Sequence, residues 1–304
     1  MPTEYYCAYG CSIRTDLNLG SLLPRGVSGR HRVTLRNLPT GSSPVNCNSK
    51  LDFIASFQTA PGKTHTLYGN HGENESGGSQ LWSFEVDGIV RFYWRGGSGT
   101  IEYQVSRHAT LPQICYWVIH MLLPLYVTLE GLYEVIHASA VVIGENATLF
   151  TAPSHGGKSS LANAFVRSGC ELIADDCVPI EIKPDGCFVE PSHPNCRPYR
   201  KNNCLGDPVE NFASTAIRIG AIYQVQLQDT GDDISFTELG AHEKLACLLS
   251  GAYISYGLTS SRRLTALADL ADLVTMFSVR LPRRAGRIEE CRNAILSHRH
   301  ELHT

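Results

Sequence analysis

Thr148-Leu-Phe-Thr-Ala-Pro-Ser-His-Gly-Gly-Lys-Ser-Ser-Leu161 is the stretch on which the fold turns. Ala147 to Thr151 suits a short strand. A helix follows from about Ser159 to Ser168; Gly169 stops it, and Leu161, Ala164 and Phe165 share one face. Between strand and helix lies a loop that reads A-x-x-x-x-G-K-S from Ala152 to Ser159. This is one residue away from the G-x-x-x-x-G-K-[ST] phosphate loop, because Ala152 stands where the first Gly belongs. Such a loop curls successive backbone N–H groups around phosphate oxygens at the positive end of a helix. Gly156 and Gly157 allow the close approach, Lys158 reaches the β- and γ-phosphates, and the Ser159 hydroxyl suits Mg²⁺. Ser154, His155 and Ser160 complete the candidate nucleotide contacts. Ala152 is tolerated where its φ is negative. ATP and Mg²⁺ are therefore the expected ligands.

Working outward, Leu172-Ile-Ala-Asp-Asp176 comes next, with Asp175 only 17 residues after Lys158. One short helix and one strand fill that interval, so Asp175 and Asp176 emerge at the carboxyl end of a strand beside the loop, where ligands of α/β sheets sit. Most phosphate-loop ATPases place their metal-binding aspartate much further along. Neighbouring strand residues point to opposite faces, so one carboxylate can face the γ-phosphate while the other serves metal or a supporting group. His137 lies on the strand before the phosphate strand, in Ile136-His-Ala-Ser-Ala-Val141. A lone strand histidine is usually structural, but the two motifs behind it make His137 a site candidate. Arg197, after a Pro184-Asp-Gly186 hairpin, suits either a phosphate contact or a surface ion pair.

The flanks divide the chain at about residue 107. Residues 3 to 105 read as β-rich, with a strand over Tyr5–Asp16 and a meander over Trp82–Val105 turning at Asp87-Gly88 and at Arg95 to Gly99. Gly69 to Ser79 reads as a mobile loop, and no catalytic cluster falls in this half. His108 to Thr128 carries no Asp, Glu, Lys or Arg, approaching the roughly 20 apolar residues of a membrane span. His120 and Pro124 interrupt it, so a buried core helix at about 110–127 is the expectation. In the second half Tyr133 to Ile143 reads as one strand, Ile217–Leu227 and Ile234–Leu239 as a pair about Thr230 to Asp233, and 241–255, 262–276 and 286–300 as helices.

The net charge is −3, which gives no general attraction to nucleic acid or anionic lipid. The Arg262–Arg263 and Arg283–Arg284 pairs read as solvated helix-end charges. Eleven cysteines without a CxxC pair, behind an N-terminus with neither a basic region nor an apolar run, suit free thiols in a reducing cytoplasm. Cys187, His193 and Cys196 lack ligand-pair spacing and make a weak metal candidate.

His-Ala-Ser-Ala-Val, the phosphate loop and Leu-Ile-Ala-Asp-Asp, in this order and spacing, resemble the catalytic domain of the HPr kinase/phosphorylase family, whose fold is related to phosphoenolpyruvate carboxykinase. The resemblance covers about residues 130–300, with weaker likeness at Pro191 to Arg197, Ile219 to Tyr223 and Leu267 to Val274. The N-terminal half does not look like the regulatory domain of ordinary HPr kinases. Tyr5, Gly10, Arg14, Leu17, Leu22-Leu-Pro and the Ile136-His-Ala-Ser start are similar to a stand-alone branch encoded with lasso-peptide biosynthesis, which phosphorylates the C-terminal serine of a precursor peptide. The family's C-terminal phosphorylase signature is not found, so phosphorolysis is not implied.

The resemblance implies an α/β (α+β) fold: a phosphate-loop kinase domain of HPr-kinase/PEP-carboxykinase type over 108–304, behind a β-rich N-terminal domain over 1–107 that could recognise the acceptor. It implies in-line transfer from ATP to a peptide serine, with Asp175 the general base, Asp176 and Ser159 at the metal, His137 beside the base and Lys158 on the phosphates. Which carboxylate takes which role stays open. Other readings are a related kinase of a folded protein or small molecule, and a nucleotide-sensing module with little turnover. HPr kinases form rings, and a homo-oligomer stays open here.

Overall fold

The computed structural model describes residues 3–39, 42, 51–59, 63–70, 80–197, 204–229, 231, 233–253 and 261–302. They form two compact units of mixed α/β structure, the first running to Glu130 and the second starting at Gly131.

The first unit is built on an eight-stranded sheet. Its strands are β1 (Glu4–Ala8), β2 (Cys11–Thr15), β3 (His31–Asn37), β4 (Asp52–Thr59), β5 (Lys63–Gly69), β6 (Leu81–Val86), β7 (Val90–Arg95) and β8 (Thr100–Val105). They lie in the order β1-β2-β3-β8-β7-β6-β5-β4. The single strand expected over Tyr5–Asp16 is a hairpin, because Tyr9 and Gly10 both take positive φ, the geometry of a tight two-residue turn. The meander at β6–β8 forms as expected, with Trp82 paired to Trp94 and Phe84 to Phe92, both pairs stacked. Residues 71–79 of the expected loop lie outside the described residues.

Leu111–Leu129 is long and apolar enough to cross a membrane by length and composition, and two-thirds of it (67%) is buried inside the protein. It comprises α1 (Leu111–Trp117), a π turn at Val118–Leu122 and α2 (Leu123–Leu129). Gln113 accepts a hydrogen bond from the Thr110 N–H at the start. Pro124 has no N–H to give the ladder, and the wider turn falls just before it. The ring centroids of Trp117 and His65 are 5.6 Å apart and those of Tyr126 and Trp94 6.0 Å apart. The unit boundary therefore falls at Glu130/Gly131 and not at 107/108, since the apolar helix is cover for the N-terminal sheet.

The second unit contains β9 (Glu134–Ile136), β10 (Ala138–Ile143), β11 (Asn146–Thr151), α3 (Lys158–Arg167) and β12 (Leu172–Asp175). After these come β13 (Val178–Lys183), β14 (Gly186–Val189) and the short pair β15 (Asn195–Cys196) and β16 (Asp207–Pro208). Then follow β17 (Ile217–Gln228), β18 (Ser235–Glu238), α4 (Ala241–Gly251), α5 (Ser261–Leu273), β19 (Met276–Pro282) and α6 (Ile288–Glu301). The main sheet runs β12-β10-β11-β17-β14-β13-β9, with β19 on β17 and β18 on β19. β11, β17 and β19 are parallel. β10 pairs antiparallel to both β11 and β12, so α3 carries the chain across to a strand parallel to β11.

Alternation along β17 separates two cores. Tyr223 and Val225 join Phe150, Phe165 and Phe277 under α3 and α6. Ile222 joins Leu149, Leu248 and Leu270 under α4 and α5. The expected pairing of β17 with β18 is corrected, because β19 lies between them. The helix read over 262–276 ends at Leu273, and Met276 opens that unforeseen central strand. Arg263 is not a solvated charge: it is buried and pairs with Glu134 at 3.0 Å. Burial pushes the Glu134 carboxyl up, and the arginine partly offsets this.

Candidate active site

β11 ends at Thr151 and α3 begins at Lys158, so the Ala152–Gly157 segment bridges strand and helix in the order the motif requires. Positive φ falls at His155 (63°) and Gly157 (86°), while Ala152 stays at negative φ, which is why an alanine serves there. Gly156 has a separate reason to be glycine. A Cβ on it would lie 2.5 Å from the Ala152 methyl and 2.9 Å from the Pro153 oxygen. Lys158 is buried, and its ammonium donates to the carbonyls of Ala152 (2.9 Å) and Pro153 (3.3 Å), staying over the loop. Ser154 is exposed and does not line the cleft.

Asp175 closes β12 and is 1% exposed. Its Oδ1 accepts hydrogen bonds from Ser159 Oγ (2.9 Å) and from Ser139 Oγ, and its Oδ2 accepts one from the Arg197 backbone N–H (2.7 Å). Burial pushes its pKa up, these hydrogen bonds pull it back, and the neighbouring Asp176 charge raises it further. Asp176 leaves the strand in the left-handed region (φ 71°), a conformation that costs a non-glycine residue energy and redirects its side chain. Its Oδ1 lies 3.1 Å from His137 Nδ1 and its Oδ2 3.4 Å from an Arg197 guanidinium nitrogen.

His137 does not lie within one long strand. The stretch read as Tyr133–Ile143 breaks at this residue: β9 pairs with β13, β10 pairs with β11 and β12, and His137 turns between the two ladders. Its N–H donates to Gly251 O at 2.7 Å, and its Nδ1 is also 3.0 Å from the Asp176 carbonyl oxygen.

These groups meet in a cleft of about 160 Å³ lined by His155 to Ser160 of the loop, with His137, Asp176 and Arg197. Asp175 is outside the lining. The arrangement places cations and N–H donors on one side and a carboxylate held by an imidazole and a guanidinium on the other. Such a cleft can hold an anion and accept a proton from a neighbouring hydroxyl. Among the described residues no group of three or more His, Cys, Asp or Glu is placed to hold a metal, so Cys187, His193 and Cys196 form no such centre. The donors fit Mg²⁺, which uses one or two protein oxygens and completes its shell with phosphates and water. Ser159 Oγ and the Asp176 carboxylate are the oxygens in the lining, and Asp175 stands behind them, hydrogen-bonded to Ser159.

Ser139 escaped the sequence reading. A buried hydroxyl in a run of small residues has no local signal, and only the strand register, which sets Ser139 opposite Asp175, reveals it.

No protein-family model and no curated protein matches the chain. Among solved structures, the Hpr(Ser) kinase/phosphatase from Coxiella burnetii is similar at a TM-score of 0.34 and 11% identity. The match covers 56% of this chain and 99% of that one. A likeness at this level leaves the chemistry of the cleft to its own residues.

Proposed function

We propose that the chain is an ATP-dependent serine kinase that transfers the γ-phosphoryl group to a peptide hydroxyl. The observation that carries this reading is the meeting of the phosphate loop with Asp176, His137 and Arg197 in one cleft. Lys158 leaves the carbonyls of Ala152 and Pro153 to meet phosphate oxygens, and the N–H groups at the start of α3 hold the same chain. Mg²⁺, bound through Ser159 Oγ and a carboxylate, would neutralise phosphate charge.

Asp176 is the general base in this account, in exchange for the role first given to Asp175. It lines the cleft, whereas Asp175 is buried and already accepts from three donors. Asp176 takes the acceptor's hydroxyl proton as that oxygen bonds to phosphorus and the bond to the departing ADP oxygen breaks. His137 and Arg197 hold the carboxylate in place. Asp175 fixes Ser159 and the Arg197 backbone.

The C-terminal serine of a lasso precursor is the proposed acceptor; its support is the resemblance of the N-terminal half and the His-Ala-Ser motif. The first unit, none of whose described residues lines the cleft, is proposed to recognise that peptide. A reducing cytoplasm is proposed from the eleven cysteines of the sequence, which form no CxxC pair. The test is label transfer from [γ-³²P]ATP to a peptide ending in serine, beside the same peptide ending in alanine. Label on the serine peptide alone supports the reading; equal labelling of both, or of neither, removes the C-terminal serine as acceptor.

A further inference from the structure

The cleft's 160 Å³ is small beside the roughly 300–1,000 Å³ of sites that enclose a small organic ligand. That size suits a phosphate chain, with the nucleoside seated beyond it. On the kinase reading the γ end faces Asp176, His137 and Arg197. Asp176 and His137 follow β12 and β9, and β12 lies on the β10 flank of β11. The α-phosphate and nucleoside then leave the loop on the opposite flank, where β17 and β19 continue beyond the end of β11.

That extension begins at Gln224, which is paired with Thr151, the last residue of β11. One of its faces is filled, since Val225 and Leu227 of β17 and Val279 and Leu281 of β19 pack into the core under α3 and α6. The alternate residues, Gln224, Gln226, Ser278 and Arg280, face the other way and form a groove of about 490 Å³ against α4. The groove adjoins the strand end that carries the phosphate loop: buried Thr151, the last residue of β11, has its Oγ1 3.4 Å from the sulfur of Cys247, which lines the groove. The lining sets the polar side chains of β17 and β19 against apolar Leu239, Ala246 and Cys247, a mixture that suits a base with an apolar face and a polar edge. A carboxamide offers a donor and an acceptor side by side, the complement of a purine's edge.

We propose that this groove holds the nucleoside of the nucleoside triphosphate, with Gln224 and Gln226 contacting the base. The proposal rests on the kinase reading above, and its test separates the two. The full-length protein is titrated calorimetrically with ATP and with inorganic tripolyphosphate. Two variants are compared: Ala246→Trp, which fills the groove from an exposed helix position, and Gln226→Ala, which removes an exposed amide.

The expected result is a rise in the ATP Kd of about tenfold or more for Ala246→Trp and about fivefold for Gln226→Ala, each with unchanged tripolyphosphate affinity. Unchanged ATP affinity in both folded variants overturns the proposal. So does an equal loss for both ligands, which would make the groove a support for the loop. Intact ATP affinity with lost peptide phosphorylation would give the groove to the acceptor and overturn it too. A wild-type protein that binds neither ligand defeats the phosphate-loop reading itself, and the groove assignment falls with it.

Discussion

Replacing Asp176 by Asn keeps the side chain's shape and removes the charge that faces the cleft. Asp176→Asn is expected to bind ATP within a few-fold of wild type and to lose kcat by at least about a hundredfold, in line with general-base contributions. Asp175→Asn should act differently, because its carboxylate accepts from Ser139, Ser159 and the Arg197 N–H inside the protein. It is expected to lower Tm and weaken Mg²⁺–ATP binding together. A fully active Asp176→Asn beside a folded but dead Asp175→Asn would return the base to Asp175. The sequence made the loop, the paired aspartates and His137 legible because their types and spacing carry the chemistry. It could not say which aspartate faces the cleft. That depends on β12 ending at Asp175 and on the left-handed turn at Asp176, which Asp tolerates better than most residues but does not announce.

Elements with a strong period were legible, and those whose partners lie far away were not. The strand–loop–helix around Lys158 and the apolar helix at Leu111–Leu129 announce themselves locally. β19 reads like the tail of a helix until β17 and β18 are placed on its two sides. Neither local pattern shows that α1 packs on β5, yet this contact has a measurable consequence. His65 is buried among Phe57, Phe84 and Trp117, and neither ring nitrogen has a hydrogen-bond partner among the described residues. Burial lowers its pKa to about 4. The neutral ring is the form that fits, so the folded state keeps its full stability above the ordinary value near 6.5. It loses stability as pH falls from there towards 4, by about 3 kcal/mol at the limit. Chemical denaturation of wild type and His65→Phe across that range should show this component in wild type only. An identical pH dependence in the two would separate the imidazole from the effect.

At the scale of the whole molecule, the second unit contains both cores that flank the phosphate loop, and every described residue that lines the cleft. A chain starting at Gly131 is therefore expected to fold and to bind Mg²⁺–ATP, while losing phosphorylation of the peptide. A start near Arg107 would leave the apolar helix without the N-terminal sheet it covers. Thermal shift with ATP and peptide labelling read the two properties separately, and undiminished peptide labelling would remove the first unit from acceptor recognition. The two-unit outline was legible from the change in pattern along the chain. The boundary was not, because the helix's partners are strands some fifty residues upstream of Trp117 or thirty upstream of Tyr126. The central claim is that this cleft transfers phosphoryl groups. Its most direct measurement is single-turnover transfer from [γ-³²P]ATP with Mg²⁺ to a serine-ended peptide, run on wild type, Lys158→Ala and Asp176→Asn with folding verified by circular dichroism. Labelled peptide is expected with wild type alone, together with near-normal ATP binding by Asp176→Asn; peptide labelled equally by Lys158→Ala, or no labelled peptide with folded, ATP-bound wild type, would show that the cleft is not the site of transfer.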